Sequence, residues 1–178
     1  MSSPVLPPPS QNLPIDILGV WWLLTREDWT SDGQKKIDPT LGSDPIGILT
    51  YAPGHFAAQF TKRDRSGSPV PALSTASPTP DPAPASITTP TSAASHSSIP
   101  LNNSSAIGGY DAYFGTYAID LSTGKVGHTL IGSLSPANIG ITVSRDLRVN
   151  NDRLMIQLET TTTMGELITR TLTFKRIS

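Results

Sequence analysis

Gly19-Val20-Trp21-Trp22-Leu23-Leu24-Thr25-Arg26-Glu27-Asp28-Trp29 opens the first regular stretch of the chain, and its reading decides the fold. In an extended strand successive side chains point to opposite faces. Val20, Trp22 and Leu24 then share one face, and Trp21 and Leu23 share the other. This predicts a first strand over residues 18–29. Segments of the same kind recur downstream and end in Leu172-Thr173-Phe174-Lys175-Arg176. Ser31-Asp32-Gly33 punctuates the first of them, because Asp-Gly tolerates the positive φ of a tight turn. A loop with two prolines follows over residues 37–45. A strand over 46–51 turns at Ala52-Pro53-Gly54 into another over 55–61.

The sheet resumes over residues 110–121, turns at Ser122-Thr123-Gly124, and continues over 126–134. Ser135-Pro136-Ala137-Asn138 breaks the pattern before a strand over 141–149. Asn150-Asn151-Asp152 leads to 154–161, and Met164-Gly165-Glu166 leads to 168–176. Period-two alternation between turn signals gives about eight strands in sequence and no helix. Short hairpin connections favour an antiparallel up-and-down meander, and closing it removes both exposed edges. The expected fold class is all-β, a single eight-stranded or slightly larger barrel. Eight strands leave an interior just able to hold one small ligand.

The remaining sequence lacks this pattern. Residues 1–13 are rich in proline. Residues 66–107 are built almost wholly from Ser, Pro, Thr and Ala, with Asp81 as their charge and Ile87 and Ile99 as isolated apolar points. Such segments bury too little apolar surface to offset the entropy of ordering them, so a disordered tail and a long disordered insert are expected. The barrel then spans residues 14–178, interrupted by the insert at a hairpin loop, where extra length costs little.

The 178 residues carry a formal net charge of −1 and no cysteine. Near-neutral charge without basic patches argues against nucleic acid. Lack of cysteine excludes disulfides, thiol nucleophiles and thiolate metal sites. The first residues have no charged n-region and apolar h-region, and no apolar run reaches the length of a membrane span. A cytoplasmic protein is expected. The histidines show no metal-ligand spacing: His96 lies in the insert, and His55 and His128 are isolated. Phosphate loops, nucleophile elbows and paired carboxylates are missing too, so no cofactor is expected.

The informative residues are polar groups on faces that should be buried. Val126, His128, Leu130 and Leu134 share one face of their strand. Arg145 shares a face with Ile141, Val143, Leu147 and Val149, and Arg170 with Ile168, Leu172 and Phe174. A buried arginine demands a carboxylate, water or ligand. Arg145 either pairs with a carboxylate such as Asp120 or Asp111, or joins His128 as a polar patch in an apolar cavity. His128 is either a satisfied core histidine or part of that patch. A few convergent polar groups in an apolar pocket describe a small-molecule site, and such a patch can polarise a carbonyl or move a proton. Tyr110 and Phe114 share one face of their strand and Tyr113 and Tyr117 the other, so one pair should line the interior. His55, just after a turn, belongs to a rim.

Several strings carry a family resemblance: Leu18-Gly19-Val20-Trp21, Gly47-Ile48-Leu49-Thr50-Tyr51, Gly54-His55-Phe56-Ala57-Ala58, Tyr113-Phe114-Gly115-Thr116-Tyr117, Val126-Gly127-His128, Gly132-Ser133-Leu134-Ser135-Pro136, then Gly140 and Arg145. The chain resembles the small stand-alone lipocalin-like domain proteins over almost everything except the tail and insert. The resemblance implies a cup for a small hydrophobic molecule. Its floor would use Gly19 and Trp21, with Arg170 as the cation stacked on the indole. Some relatives act in secondary-metabolite pathways as isomerases or cyclases, and others only carry ligands. Carried over, this implies a cofactor-free isomerase or cyclase with His128 as acid/base and Arg145 stabilising an oxyanion. Tyr51, Phe114, Tyr117, Leu130 and Phe174 would line the substrate. The alternatives are a non-catalytic carrier, or a barrel filled by its own side chains that binds a protein partner.

Overall fold

A computed structural model describes residues 16–66, 106–162 and 164–178. The expected tail, 1–13, lies outside the described residues, as does nearly all of the expected insert. Its last two residues, however, belong to the fold: Ala106 packs against the core and Ile107 bridges Tyr110.

The strands are β1 (Gly19–Thr30), β2 (Lys35–Lys36), β3 (Ile46–Ala52), β4 (His55–Thr61), β5 (Tyr110–Ile119), β6 (Val126–Ser133), β7 (Thr142–Asn150), β8 (Arg153–Thr161) and β9 (Leu167–Arg176). A single 3-10 turn, Pro136–Asn138, separates β6 from β7. All pairings are antiparallel and follow chain order, and β1 also pairs with β9. β2 is a two-residue flap beside the far end of β1, so the closed ring has eight strands.

Alternation sets the inward face. Phe56, Ala58 and Phe60 of β4, Val126, His128 and Leu130 of β6, and Ile168, Arg170, Leu172 and Phe174 of β9 are all buried. β1 departs from simple alternation. Trp21 and Leu23 point inward, a bulge between Leu23 and Thr25 shifts the pairing with β9, and Asp28 and Thr30 are then the buried residues. A bulge adds one residue to one strand and so exchanges its faces.

The floor is built where β1 begins and β9 ends. Trp21 is fully buried, and its indole N–H donates to the Ile17 carbonyl at 2.8 Å. The cation over its ring is Arg176, 4.3 Å from the centroid, and not the expected Arg170. Register explains the correction: Arg176 lies directly opposite Trp21, whereas Arg170 lies opposite Asp28. Gly19 is required here, since its φ is +126° and a side chain would overlap the Ser178 carbonyl, which accepts from Val20 at 2.9 Å.

The other end is closed by ions and one leucine. Arg170 donates to Asp28 through Nε at 2.8 Å and through Nη2 at 2.9 Å. Arg26 bridges Asp28 at 3.2 Å and Asp38 at 2.6 Å. Asp38 also accepts the backbone N–H groups of Thr40 and Leu41, which pins the loop before β3 and seats Leu41 in the core. Burial opposes ionisation of Asp28. The hydrogen bonds and charge of Arg170, reinforced by Arg26, outweigh it and hold the carboxyl below its ordinary range.

Candidate functional site

Between the floor and the ionic layer lies an apolar interior with three polar intruders. β3 contributes Tyr51, β6 His128 and β7 Arg145, all buried. The Tyr51 hydroxyl and His128 Nε2 are 2.6 Å apart, a bond that crosses the barrel between residues 77 apart in sequence. Aromatic rings wall the pair: Phe56 meets the imidazole edge-on at 4.6 Å, and Tyr117 meets Tyr51 edge-on at 5.2 Å.

Burial sets the protonation states. Desolvation, followed by the nearby Arg145 charge, drives the His128 pKa well below its ordinary value, so the imidazole is neutral. Desolvation pushes Tyr51 up, and Arg145 only partly opposes this, so the phenol keeps its proton. The phenol is the stronger acid of the pair and donates to Nε2, which leaves the proton of the neutral ring on Nδ1. That Nδ1 makes no hydrogen bond of good geometry, and the Val126 backbone supplies only a weak contact to the ring. The site therefore offers a weakly engaged N–H donor beside a guanidinium.

Arg145 is 5% exposed, and among the described residues no carboxylate lies within ion-pair distance of it. Its guanidinium lies over Tyr113, 5.9 Å from the ring centroid. A cation over an aromatic face contributes about 0.5–2 kcal/mol, whereas burying an ion costs several kcal/mol. Asp120 is instead exposed in the turn before β6, held low by its hydrogen bonds to Ser122 and Thr123, with a pKa of about 2. Asp111 is buried at the ionic end, lining a cavity with Arg26 and Arg170. Neither carboxylate forms an ion pair with Arg145.

The free space here is small. A cavity of about 20 Å³ is lined by Tyr51, Phe56, Tyr113, His128, Arg145 and Phe174, among others, and one of about 30 Å³ lies below the ionic layer. Each has room for roughly one or two waters. The interior is thus largely filled by its own side chains, and a ligand enters only by displacing some of them. A larger concavity lies elsewhere: a groove of about 620 Å³ on the wall, where β7 and β8 part, lined by Lys125, Val143, Asp146, Leu158 and Glu159 among others. It is open, and its Lys125 is already paired with Asp146 at 3.5 Å. The enclosed set with its poorly satisfied donors is the better candidate.

Of the expected lining residues, Tyr51, Leu130 and Phe174 are buried in the core, and Tyr117 packs partly buried against it. Phe114 is the exception. It is 55% exposed on the outer face, where its ring covers Gly132. The β4 register decides this, because Tyr113 pairs with the inward Ala58 and Phe114 with the outward Ala57. Tyr113 therefore occupies the interior position. His55 is exposed at the β3–β4 turn. Sequence reasoning missed Phe56 as a wall, although the strict alternation of β4 contained its signal, and it left Tyr113 in one of two pairs that could face inward. Among the described residues no cluster of His, Asp and Glu is placed to hold a metal, and no helix is long and apolar enough to cross a membrane.

A closed eight-stranded meander with a tryptophan floor capped by an arginine and an inward polar group defines the class of lipocalin-like barrels. The Lipocalin-like domain family matches residues 18–177, and the chain belongs to that family. No curated protein and no solved structure matches it significantly.

Proposed function

We propose that the barrel interior binds a small, mostly apolar molecule against Tyr51, His128 and Arg145. The observation that carries this reading is the Nδ1–H of His128, which has only a weak backbone contact, beside the guanidinium of Arg145, which no carboxylate among the described residues meets, both buried in apolar surroundings. Buried donors without good partners are unfavourable unless something else satisfies them, which is how binding sites differ from cores. The family supports a small ligand without naming a reaction.

The finer reading is a cofactor-free isomerase or cyclase of a hydrophobic natural-product intermediate. Enclosure holds the substrate in a reactive conformer, which alone lowers a barrier when that conformer is close to the transition state. The guanidinium and the Nδ1–H would stabilise an oxyanion, and the Tyr51–His128 pair would relay a proton. A carrier would use the same space without turnover. Native mass spectrometry of protein purified from its own host, with extraction of anything bound, tests the binding. Incubating the protein with the extracted compound and its precursor then separates the two readings. A changed product indicates an enzyme, and unchanged release indicates a carrier. Empty protein that also ignores apolar dyes would sink both.

A further inference from the structure

The geometry points to a ligand that carries an anionic group, a carboxylate or an enolate-like oxygen, held by Arg145. This rests on the reading that the interior takes a ligand. The barrel supplies its own comparison. Arg26 and Arg170 also have buried guanidinium groups, and each is met by carboxylate oxygens, Asp28 for both and Asp38 for Arg26. The chain thus neutralises inward arginines where they serve the fold. Arg145 is as deeply buried, yet among the described residues its neighbours are the ring of Tyr113, the neutral His128 and the protonated Tyr51. A water fits the cavity of about 20 Å³ beside it but brings no charge.

The donor pattern narrows the chemistry. Arg145 is donor-only, and His128 presents Nδ1–H once the Tyr51 hydroxyl occupies Nε2. Two donors, one of them a full cation, suit an oxygen anion, and the cation disfavours an amine; the one acceptor left beside them is the neutral Tyr51 oxygen. The planar guanidinium fork matches a carboxylate in particular. The rest of the lining, Leu49, Phe56, Phe60, Ile156, Leu172 and Phe174, is apolar and fits the remainder of the molecule.

Isothermal titration calorimetry on the full chain at neutral pH, with 1-naphthaleneacetic acid and its methyl ester, tests the inference. The pair differs in charge and little in shape. The acid should bind about tenfold or more tightly than the ester, the usual effect of a charge-assisted hydrogen bond. Arg145→Met should abolish the preference, so that acid and ester bind with equal affinity. Arg145→Lys, which keeps the charge, should retain part of it. Near-ultraviolet circular dichroism verifies the fold of each variant. Equal affinity for both probes would overturn the anionic ligand while leaving an apolar one standing. A preference that survives in Arg145→Met would place the anion elsewhere and overturn it too. No binding of either probe would remove the interior ligand altogether.

Discussion

Arg170 and Arg145 both point inward, and the chain treats them in opposite ways. Removing Arg170 leaves Asp28 buried with a single bridge to Arg26, so Arg170→Met should destabilise the barrel by about 3–5 kcal/mol. Arg145→Met removes a charge that no carboxylate among the described residues balances and leaves an apolar side chain beside Tyr113, His128 and Tyr51. It should be neutral or raise the melting temperature. Urea unfolding of both variants checks the contrast, and equal losses would mean that Arg145 is as well compensated as Arg170. His128 gives a second test at this scale. Its folded pKa is depressed, so the unfolded chain binds the proton more readily. The stability due to its neutral form is present above the ordinary value of about 6.5 and is lost as pH falls below it. In nuclear magnetic resonance spectra the ring protons of His128 should therefore stay flat through pH 6.5. A midpoint near that value would refute the buried neutral state.

Strands are this chain's most legible feature, and the places where they part or bulge are its least. Thr142–Arg145 pairs with β6 alone, because β7 meets β8 only from Asp146 to Asn150. Beyond Gln157, β8 pairs with β9 alone, and the wall opens into its groove. Backbone groups facing that seam have water as a partner. Peptides covering residues 142–145 and 158–161 should exchange amide hydrogens faster than peptides covering β4, which is paired on both sides along its length. Uniform protection around the ring would show that the seam closes in solution. The turn signals Asp32-Gly33, Pro53-Gly54 and Thr123-Gly124 placed strand ends within a residue or two because turn chemistry is local. The inward faces of β6, β7 and β9 followed from alternation for the same reason. The bulge after Leu23 is different. It depends on register with β9, 142 residues away at the Asp28–Arg170 pair. No local pattern marks it, so the ionic layer stayed hidden and Arg170 went to the wrong end. Phe114 was misplaced for a similar reason, since its own strand is aromatic on both faces and only its partner β4 resolves the choice.

At the scale of the whole molecule, eight strands close a ring whose two ends are sealed by different chemistry, a cation over an indole at one and a carboxylate–guanidinium layer under Leu41 at the other. The long connection between β4 and β5 leaves and rejoins at the ionic end. It is anchored there by described residues: Thr61 pairs with Tyr110, Lys62 N–H donates to the Gly109 carbonyl at 2.7 Å, and Arg65 Nε donates to the Gly108 carbonyl at 2.9 Å. The pairing continues without a break down to His55 and Thr116. Its two ends are therefore held together by the sheet itself. Loop-closure entropy changes by about 0.6 kcal/mol for each doubling of length. Replacing residues 67–105 with a short Gly-Ser linker should thus leave the far-ultraviolet spectrum unchanged and raise stability by about 1 kcal/mol. The same variant should bind naphthaleneacetate as the full chain does, because every residue of the Tyr51–His128–Arg145 set lies on a strand outside the exchanged segment. Thermal melts and the same calorimetry measure both quantities. A large loss of stability would mean that the replaced residues pack on the barrel, and a loss of binding alone would mean that they complete the site.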